Sequence, residues 1–187
     1  KEARFETITA DVPLNAIYKA WHIQGRLHPD YYATDLITEI MGNGLASRLH
    51  LALVKDQKLF SNINCYHTGS LDPGLLVIEG KLVEGKTLDE ANEAIEVQLK
   101  LLVEKGVQQE ELEKAKNKIE AMIVFEDMSL LSRANNLAFY ELLGDAQLMN
   151  SEWDRYNAVT ADTLQAVVNS IFHQNNSNTL YYKKSVS

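Results

Sequence analysis

Residues 60–83 read FSNINCYHTGSLDPGLLVIEGKLV, and their reading decides the fold. Two runs rich in apolar residues, Phe60 to His67 and Leu75 to Val83, flank the turn-forming stretch Thr68-Gly69-Ser70-Leu71-Asp72-Pro73-Gly74. Gly, Pro, Asp and Ser between two such runs mark two strands joined by a hairpin loop. Downstream the pattern changes to helices. Thr87-x-x-Glu90 has the form of a capping box and opens a helix that runs to Lys105-Gly106. Leu112, Ala115, Ile119, Met122 and Ile123 recur at helical spacing, and Leu130, Leu131, Ala134, Leu137 and Ala138 carry a further helix that ends at Gly144. Ser151-x-x-Asp154 and Thr160-x-Asp162 read as caps of two shorter helices, and Thr179 to Lys183 as a last strand. Upstream, Arg4 to Thr9 and Ala16 to Gln24 read as strands joined across Asp11-Val12-Pro13. Pro29 is expected in the first turn of a helix carrying Leu36, Ile37, Ile40 and Met41, which Gly42-Asn43-Gly44 stops before a short helix from Ala46 to Lys55. Strand pairs alternating with helix groups predict an α+β fold, a two-layer sandwich of a mainly antiparallel sheet covered by helices.

A chain of 187 residues holds one substantial core, so residues 1–187 are expected to form a single domain, cut from a longer protein. Apolar residues make up 45% and charged residues 24%, the balance of a globular protein rather than a disordered one. No window approaches the roughly 18 uninterrupted apolar residues that a membrane-spanning helix needs, so no membrane span is expected. The net charge is −8 and the basic residues are scattered, which argues against nucleic acid as a partner. The one cysteine, Cys65, forms no internal disulfide and demands no oxidising compartment, which favours cytoplasm over periplasm without fixing the location. No internal repeat, low-complexity tract or linker interrupts the chain.

A search for reactive groups yields no catalytic or metal-ligating set. The histidines are His22, His28, His50, His67 and His173, and no two stand one helical turn apart beside a carboxylate, as zinc on a helix requires. His28, before a proline, reads as a helix cap, His22 and His67 as strand residues, and His173 as a helix end. Cys65, in an apolar strand, reads as a small buried hydrophobe. Gly42-Asn43-Gly44 follows a helix and lacks the Lys-Ser/Thr of a phosphate loop, so it reads as a helix stop. Glu110, Glu111, Glu113, Lys114, Lys116 and Lys118 read as a solvated helix face, and Asn175-Asn176-Ser177, although it fits a glycosylation triplet, as a polar loop.

At Gly44-Leu45-Ala46-Ser47-Arg48-Leu49 the sequence resembles the C-terminal-type, zinc-free domain of the pitrilysin/insulinase-type zinc metallopeptidases. Three further stretches carry the likeness in the same order: residues 106–116 (GVQQEELEKAK), Ser132-Arg133-Ala134 through Gly144, and residues 156–165 (YNAVTADTLQ). The resemblance implies a domain that pairs with an N-terminal-type peptidase domain of the same chain and closes, with a homodimeric or related subunit, around a peptide-sized chamber. In that family an H-x-x-E-H helix and a distal Glu on the N-terminal-type domain hold zinc, so no cofactor is expected here and zinc belongs, if anywhere, to the missing domain. This sequence contains no H-x-x-E-H. Active members place an Arg and a Tyr, seven residues apart after Ser-Arg-Leu, against the substrate. Aligned on Ser47-Arg48-Leu49, those positions hold Val54 and Ser61, with His50 and Asn62 as neighbouring chamber-wall candidates. Arg133 and Tyr140 have the same separation on a different helix. Gly44, Ser47, Arg48 and Leu49 are expected to be structural, with Arg48 pairing a carboxylate or backbone carbonyls. The resemblance therefore implies a non-catalytic wall and assembly domain; its alternatives are part of an active zinc endopeptidase, or a scaffold subunit of the kind the family contributes to respiratory complexes.

Overall fold

A computed structural model describes residues 2–69 and 71–185 of the chain. Ser70, in the expected turn, lies outside the described residues, as do Lys1, Val186 and Ser187. In chain order the elements are β1 (Arg4–Ala10), β2 (Ala16–Ile23), α1 (Tyr31–Gly42), a wide π-helical turn (His50–Asp56), β3 (Phe60–His67), β4 (Gly74–Leu82), α2 (Leu88–Lys105), α3 (Gln109–Asp127), α4 (Leu130–Leu142), a 3₁₀ turn (Ala146–Ser151), α5 (Glu152–Asn157), α6 (Ala161–Ile171), a 3₁₀ turn (Gln174–Asn176) and β5 (Ser177–Lys184). The strands form one sheet in the order β1-β5-β2-β4-β3. Three of its pairings are antiparallel and the β1–β5 pairing is parallel.

The alternation of side chains along β2 and β4 sends Ile17, Trp21 and Ile23, with Leu76, Ile78 and Leu82, into the core. Tyr18, Ala20, His22, Val77 and Lys81 stay half-buried or exposed on the other face, which gives the expected two layers. Helix α1 packs on β3 and is itself covered by α3, α5 and α6. It is buried nearly all round, from Tyr32 to Gly42 with Asp35 the exception. The close approach depends on Gly42. A Cβ there would lie 2.0 Å from the Cys65 nitrogen and 2.3 Å from the Cys65 Cβ. Gly42 is thus a contact surface for β3 rather than the mere helix stop the sequence suggested; a positive φ of 96° falls on Gly44 instead.

Several local expectations are corrected. The strands β1 and β2 form as expected on either side of Asp11-Val12-Pro13, with β5 inserted between them and bonded to both, and the corrections lie elsewhere. Helix α1 starts at Tyr31, after Pro29, and His28 accepts the Asp30 backbone N–H at 3.2 Å instead of capping the helix. The segment after Ala46 is a π-helical turn, closed by the Gln57 N–H on the Ala52 carbonyl at 3.1 Å, since seven residues are too few for the apolar spacing to distinguish helix types. Thr87 caps α2 by accepting the Glu90 N–H at 3.2 Å, whereas the Glu90 carboxylate faces Lys86 at 3.6 Å. Ser151 donates to the Leu148 carbonyl at 3.1 Å and leaves α5 uncapped, while Thr160 caps α6 through the Thr163 N–H at 3.1 Å. The charged face of α3 is only partly solvated: Glu111, Lys116 and Lys118 tie α3 to other elements.

Candidate functional site

The loop after α1 turns sharply at Gly44, where the buried Ser47 hydroxyl donates to the Gly44 carbonyl at 2.7 Å. Beyond this turn Arg48 is half-buried and Leu49 completely buried. The Arg48 guanidinium grips Glu111 with both arms, Nε to Oε1 at 2.7 Å and Nη2 to Oε2 at 2.6 Å, and reaches the Gly106 carbonyl at 2.8 Å. Glu111 also accepts the Gln108 N–H at 2.9 Å, which anchors the first turn of α3. A planar fork meeting a carboxylate in this manner fixes orientation as well as contributing energy. The hydrogen bonds from Arg48 hold the Glu111 carboxyl below its ordinary range against the opposing effect of its partial burial. Two of the sequence stretches that carry the family resemblance are therefore physically joined at this point.

Val54 lies on the π-helical turn, half-buried against the core, and Ser61 is exposed on β3, where its hydroxyl donates to the Lys81 carbonyl at 3.1 Å. A register shift between Phe60 and Asn62 marks a bulge at Ser61, so Ser61 and Asn62 both end up exposed. His50 is half-buried at the start of the same turn. Neither Val54 nor Ser61 offers a cation or a phenol to a substrate. Between them Lys58 adopts a left-handed backbone with φ of 52°, the only described residue other than glycine that does so. Arg133 and Tyr140, the other pair with this separation, part company: Arg133 faces Asp127 at 3.3 Å on the surface, whereas Tyr140 is buried.

The richest polar cluster was not foreseen from sequence. Arg26, buried after β2, donates through Nη2 to Glu152 at 2.5 Å and to the Tyr140 hydroxyl at 2.9 Å. Its guanidinium lies 4.3 Å from the centroid of the Tyr31 ring. Tyr32 donates to the second Glu152 oxygen at 3.0 Å. Nearby, Asp35 receives the Tyr156 hydroxyl at 2.7 Å and His67 Nε2 at 2.8 Å. His67 Nδ1 accepts the Gly69 N–H at 3.0 Å, so this contact assigns the ring proton to Nε2. A cavity of about 550 Å³ opens beside these groups, between α1, the end of α3, α4 and α5. Its sequence signal is faint: polar Asp35 sits among the apolar residues of α1, one turn from a Tyr-Tyr pair.

Electrostatically the cluster is self-satisfied. Burial alone would lower the Arg26 pKa, but Glu152 and the surrounding tyrosines more than offset it and hold the guanidinium charged. Burial would raise the Asp35 carboxyl, yet hydrogen bonds from His67 and Tyr156 keep it below its ordinary value. Burial, reinforced by the neighbouring carboxylates and opposed by Arg26, pushes Tyr31 up to about 12. Among the described residues no buried side-chain nitrogen or oxygen lacks a hydrogen-bond partner. Cys65 is buried, and burial raises its thiol well above the ordinary value. Among the described residues no group of three or more His, Cys, Asp and Glu side chains is placed to hold a metal ion, and no helix is long and apolar enough to cross a membrane.

Known proteins share this architecture. A protease from Helicobacter pylori superposes with a TM-score of 0.91 at 22% identity, over 97% of this chain and 44% of that one. The inactive peptidase domain of a zinc-protease-type protein from Bordetella parapertussis superposes with a TM-score of 0.82 at 26% identity, covering 90% of this chain and 91% of that one. A zinc protease of Bacillus subtilis (strain 168), YmxG, itself uncharacterized, is 24% identical over 146 residues, which is 78% of this chain and 36% of YmxG. The chain thus spans less than half the length of two of these three relatives. Residues 1–119 match the model of the peptidase M16 inactive domain, and with the fold shared over the remainder the chain belongs to the peptidase M16 family as an inactive domain.

Proposed function

We propose that residues 1–187 form a single non-catalytic C-terminal-type domain that walls a peptide chamber and supplies an assembly surface in a zinc-protease-like protein. The observation that carries this reading is at Val54 and Ser61. One packs against the core and the other hydrogen-bonds its neighbouring strand, where active relatives would present Arg and Tyr to the substrate. Zinc, if anywhere, then belongs to an N-terminal-type domain of the same chain, and with Val54 and Ser61 in place of Arg and Tyr nothing on this wall completes a hydrolytic site around it. A homodimeric or related peptidase subunit completes the chamber, and a peptide is the ligand. Exposed apolar side chains at Val124 and Phe125, near the end of α3, support the assembly role.

A second reading, that the full-length protein is an active zinc endopeptidase, is favoured by two of these relatives being longer than this chain. One experiment separates the two. Peptide hydrolysis is assayed with full-length wild type and with Val54→Arg/Ser61→Tyr, each with zinc and with a chelator. A preorganised oxyanion donor is worth about 2.7–4 kcal/mol. The wall reading expects an inactive wild type and a zinc-dependent gain in the double variant wherever a zinc-bearing domain faces these positions. Chelator-sensitive hydrolysis by the wild type establishes the second reading. A folded double variant with no gain removes Val54 and Ser61 from the chamber wall.

A further inference from the structure

Helix α4 is attached to the domain in an unusual way. Of residues 130–142 only Tyr140 is buried, while Leu130, Leu131, Leu137 and Leu142 are exposed. The 3₁₀ turn that follows buries no residue at all. Beneath α4 lies the cavity of about 550 Å³, so the helix roofs a space instead of packing onto the core. Asn136, Phe139 and Tyr140 form its ceiling, and Arg26, Tyr31 and Glu152 lie opposite.

We propose that α4 is a lid over this cavity, latched by the Tyr140 hydroxyl on Arg26 and opening about Ser129 and Gly144 while the sheet and α1 stay folded. The two ends suit a hinge. Ser129 separates α3 from α4 with an extended backbone, and Gly144 has φ of 108° with no neighbour within 4 Å of where a Cβ would be. The body side of the latch does not depend on the lid, because Arg26 keeps Glu152 and its stacking on Tyr31 when Tyr140 leaves. Opening gives up the bonds of the Tyr140 hydroxyl to Arg26 and Glu152, the burial of that ring, and the packing of α4 on α3 and on the 3₁₀ turn after it. Segments with so few buried apolar contacts open locally, well below the cost of global unfolding. Beyond the wall reading above, this assigns the domain a moving part and a gated cavity.

Native-state hydrogen exchange on the full-length protein tests the lid. In the wild type, amides of residues 130–142 are expected to exchange at least about 100-fold faster than those of α2, by local opening. Tyr140→Phe keeps the ring and removes the latch hydroxyl, and is expected to speed exchange in α4 about 5-fold more, with α1 and α2 unchanged. Arg26→Lys, which keeps the charge and loses the fork, should act in the same direction. The lid is refuted if wild-type α4 is protected as strongly as α2. The latch is refuted if Tyr140→Phe leaves α4 unchanged or accelerates the whole domain equally.

Discussion

Gly42→Ala is the sharpest probe of how α1 meets the sheet. Intrinsic helix propensity favours alanine over glycine by up to about 1 kcal/mol, and the backbone of Gly42 is not in the left-handed region, so local rules predict a gain. The tertiary contact reverses the sign. The added methyl would sit 2.0 Å from the Cys65 nitrogen, 2.3 Å from its Cβ and 2.6 Å from its Cα. Relief to ordinary contact distances requires α1 and β3 to separate by more than about 1 Å, and a gap of that order forfeits a quarter to a half of each contact along the seam. Leu36, Ile37 and Met41 on α1 and Ile63 on β3 are essentially inaccessible to solvent, so the whole interface loosens. Overpacking of about 1–3 kcal/mol plus this loosening gives a loss of about 3–5 kcal/mol, a large part of a typical domain stability of 5–15 kcal/mol. Urea unfolding followed by far-ultraviolet circular dichroism measures it. The backbone nitrogen makes the closest contact, so adding Cys65→Gly should restore less than about a third of the loss. A Gly42→Ala variant within about 1 kcal/mol of wild type, or full rescue by Cys65→Gly, would refute the reasoning.

Arg48→Ala removes the fork onto Glu111 and the bond to Gly106; because the pair is partly solvated, the expected loss is about 2 kcal/mol, or roughly 4–8 °C in thermal midpoint. Adding Glu111→Gln to that variant should cost little more, and full additivity of the two changes would break the assignment. Lys58→Gly relieves a left-handed backbone at an exposed side chain and should raise stability by about 0.5–1 kcal/mol, with an unchanged melting curve counting against strain at that turn. Asp35 and Glu111 both titrate below their unfolded values, so each contributes stability that is present above the ordinary carboxylate range and lost as pH falls through the depressed value. Glu39, raised mainly by burial, acts with the opposite sign, so the test is a difference measurement. Between pH 7 and pH 3 the urea midpoint of Asp35→Asn should fall less than that of wild type; parallel curves would contradict the Asp35 assignment.

The element order was legible because most elements announce themselves locally. The hairpin from Phe60 to Leu82 carries its turn residues in place, and Thr160 marks the start of α6. The insertion of β5 between β1 and β2 was not legible, since no short-range pattern distinguishes a strand that pairs with its neighbour from one that waits for the end of the chain. The same limit hid Glu111, Lys116 and Lys118. Alternating Glu and Lys on a helix read as solvated pairs, and only the arrival of Arg48, the Asn157 carbonyl and Glu39 gives them other work. The cluster around Arg26 draws on β3, α1, α4 and α5, and its members become a site only when those elements meet.

The placement of β5 has a consequence for the order in which the domain is completed during translation. Arg4 pairs with Asn178 and Ala10 with Lys184, more than 170 residues apart in each case, so the first of these five strands to be made waits for the last before it finds its neighbour. Until Ser177–Lys184 emerges, β2 is an open edge and β1 has no place in the sheet, with Phe5 and Ile8 exposed to solvent even in the finished fold. A nascent chain stalled anywhere before residue 177 therefore holds β1 unpaired and a sheet with an unprotected margin along β2. Closure of that margin is set by synthesis of the eight-residue strand Ser177–Lys184.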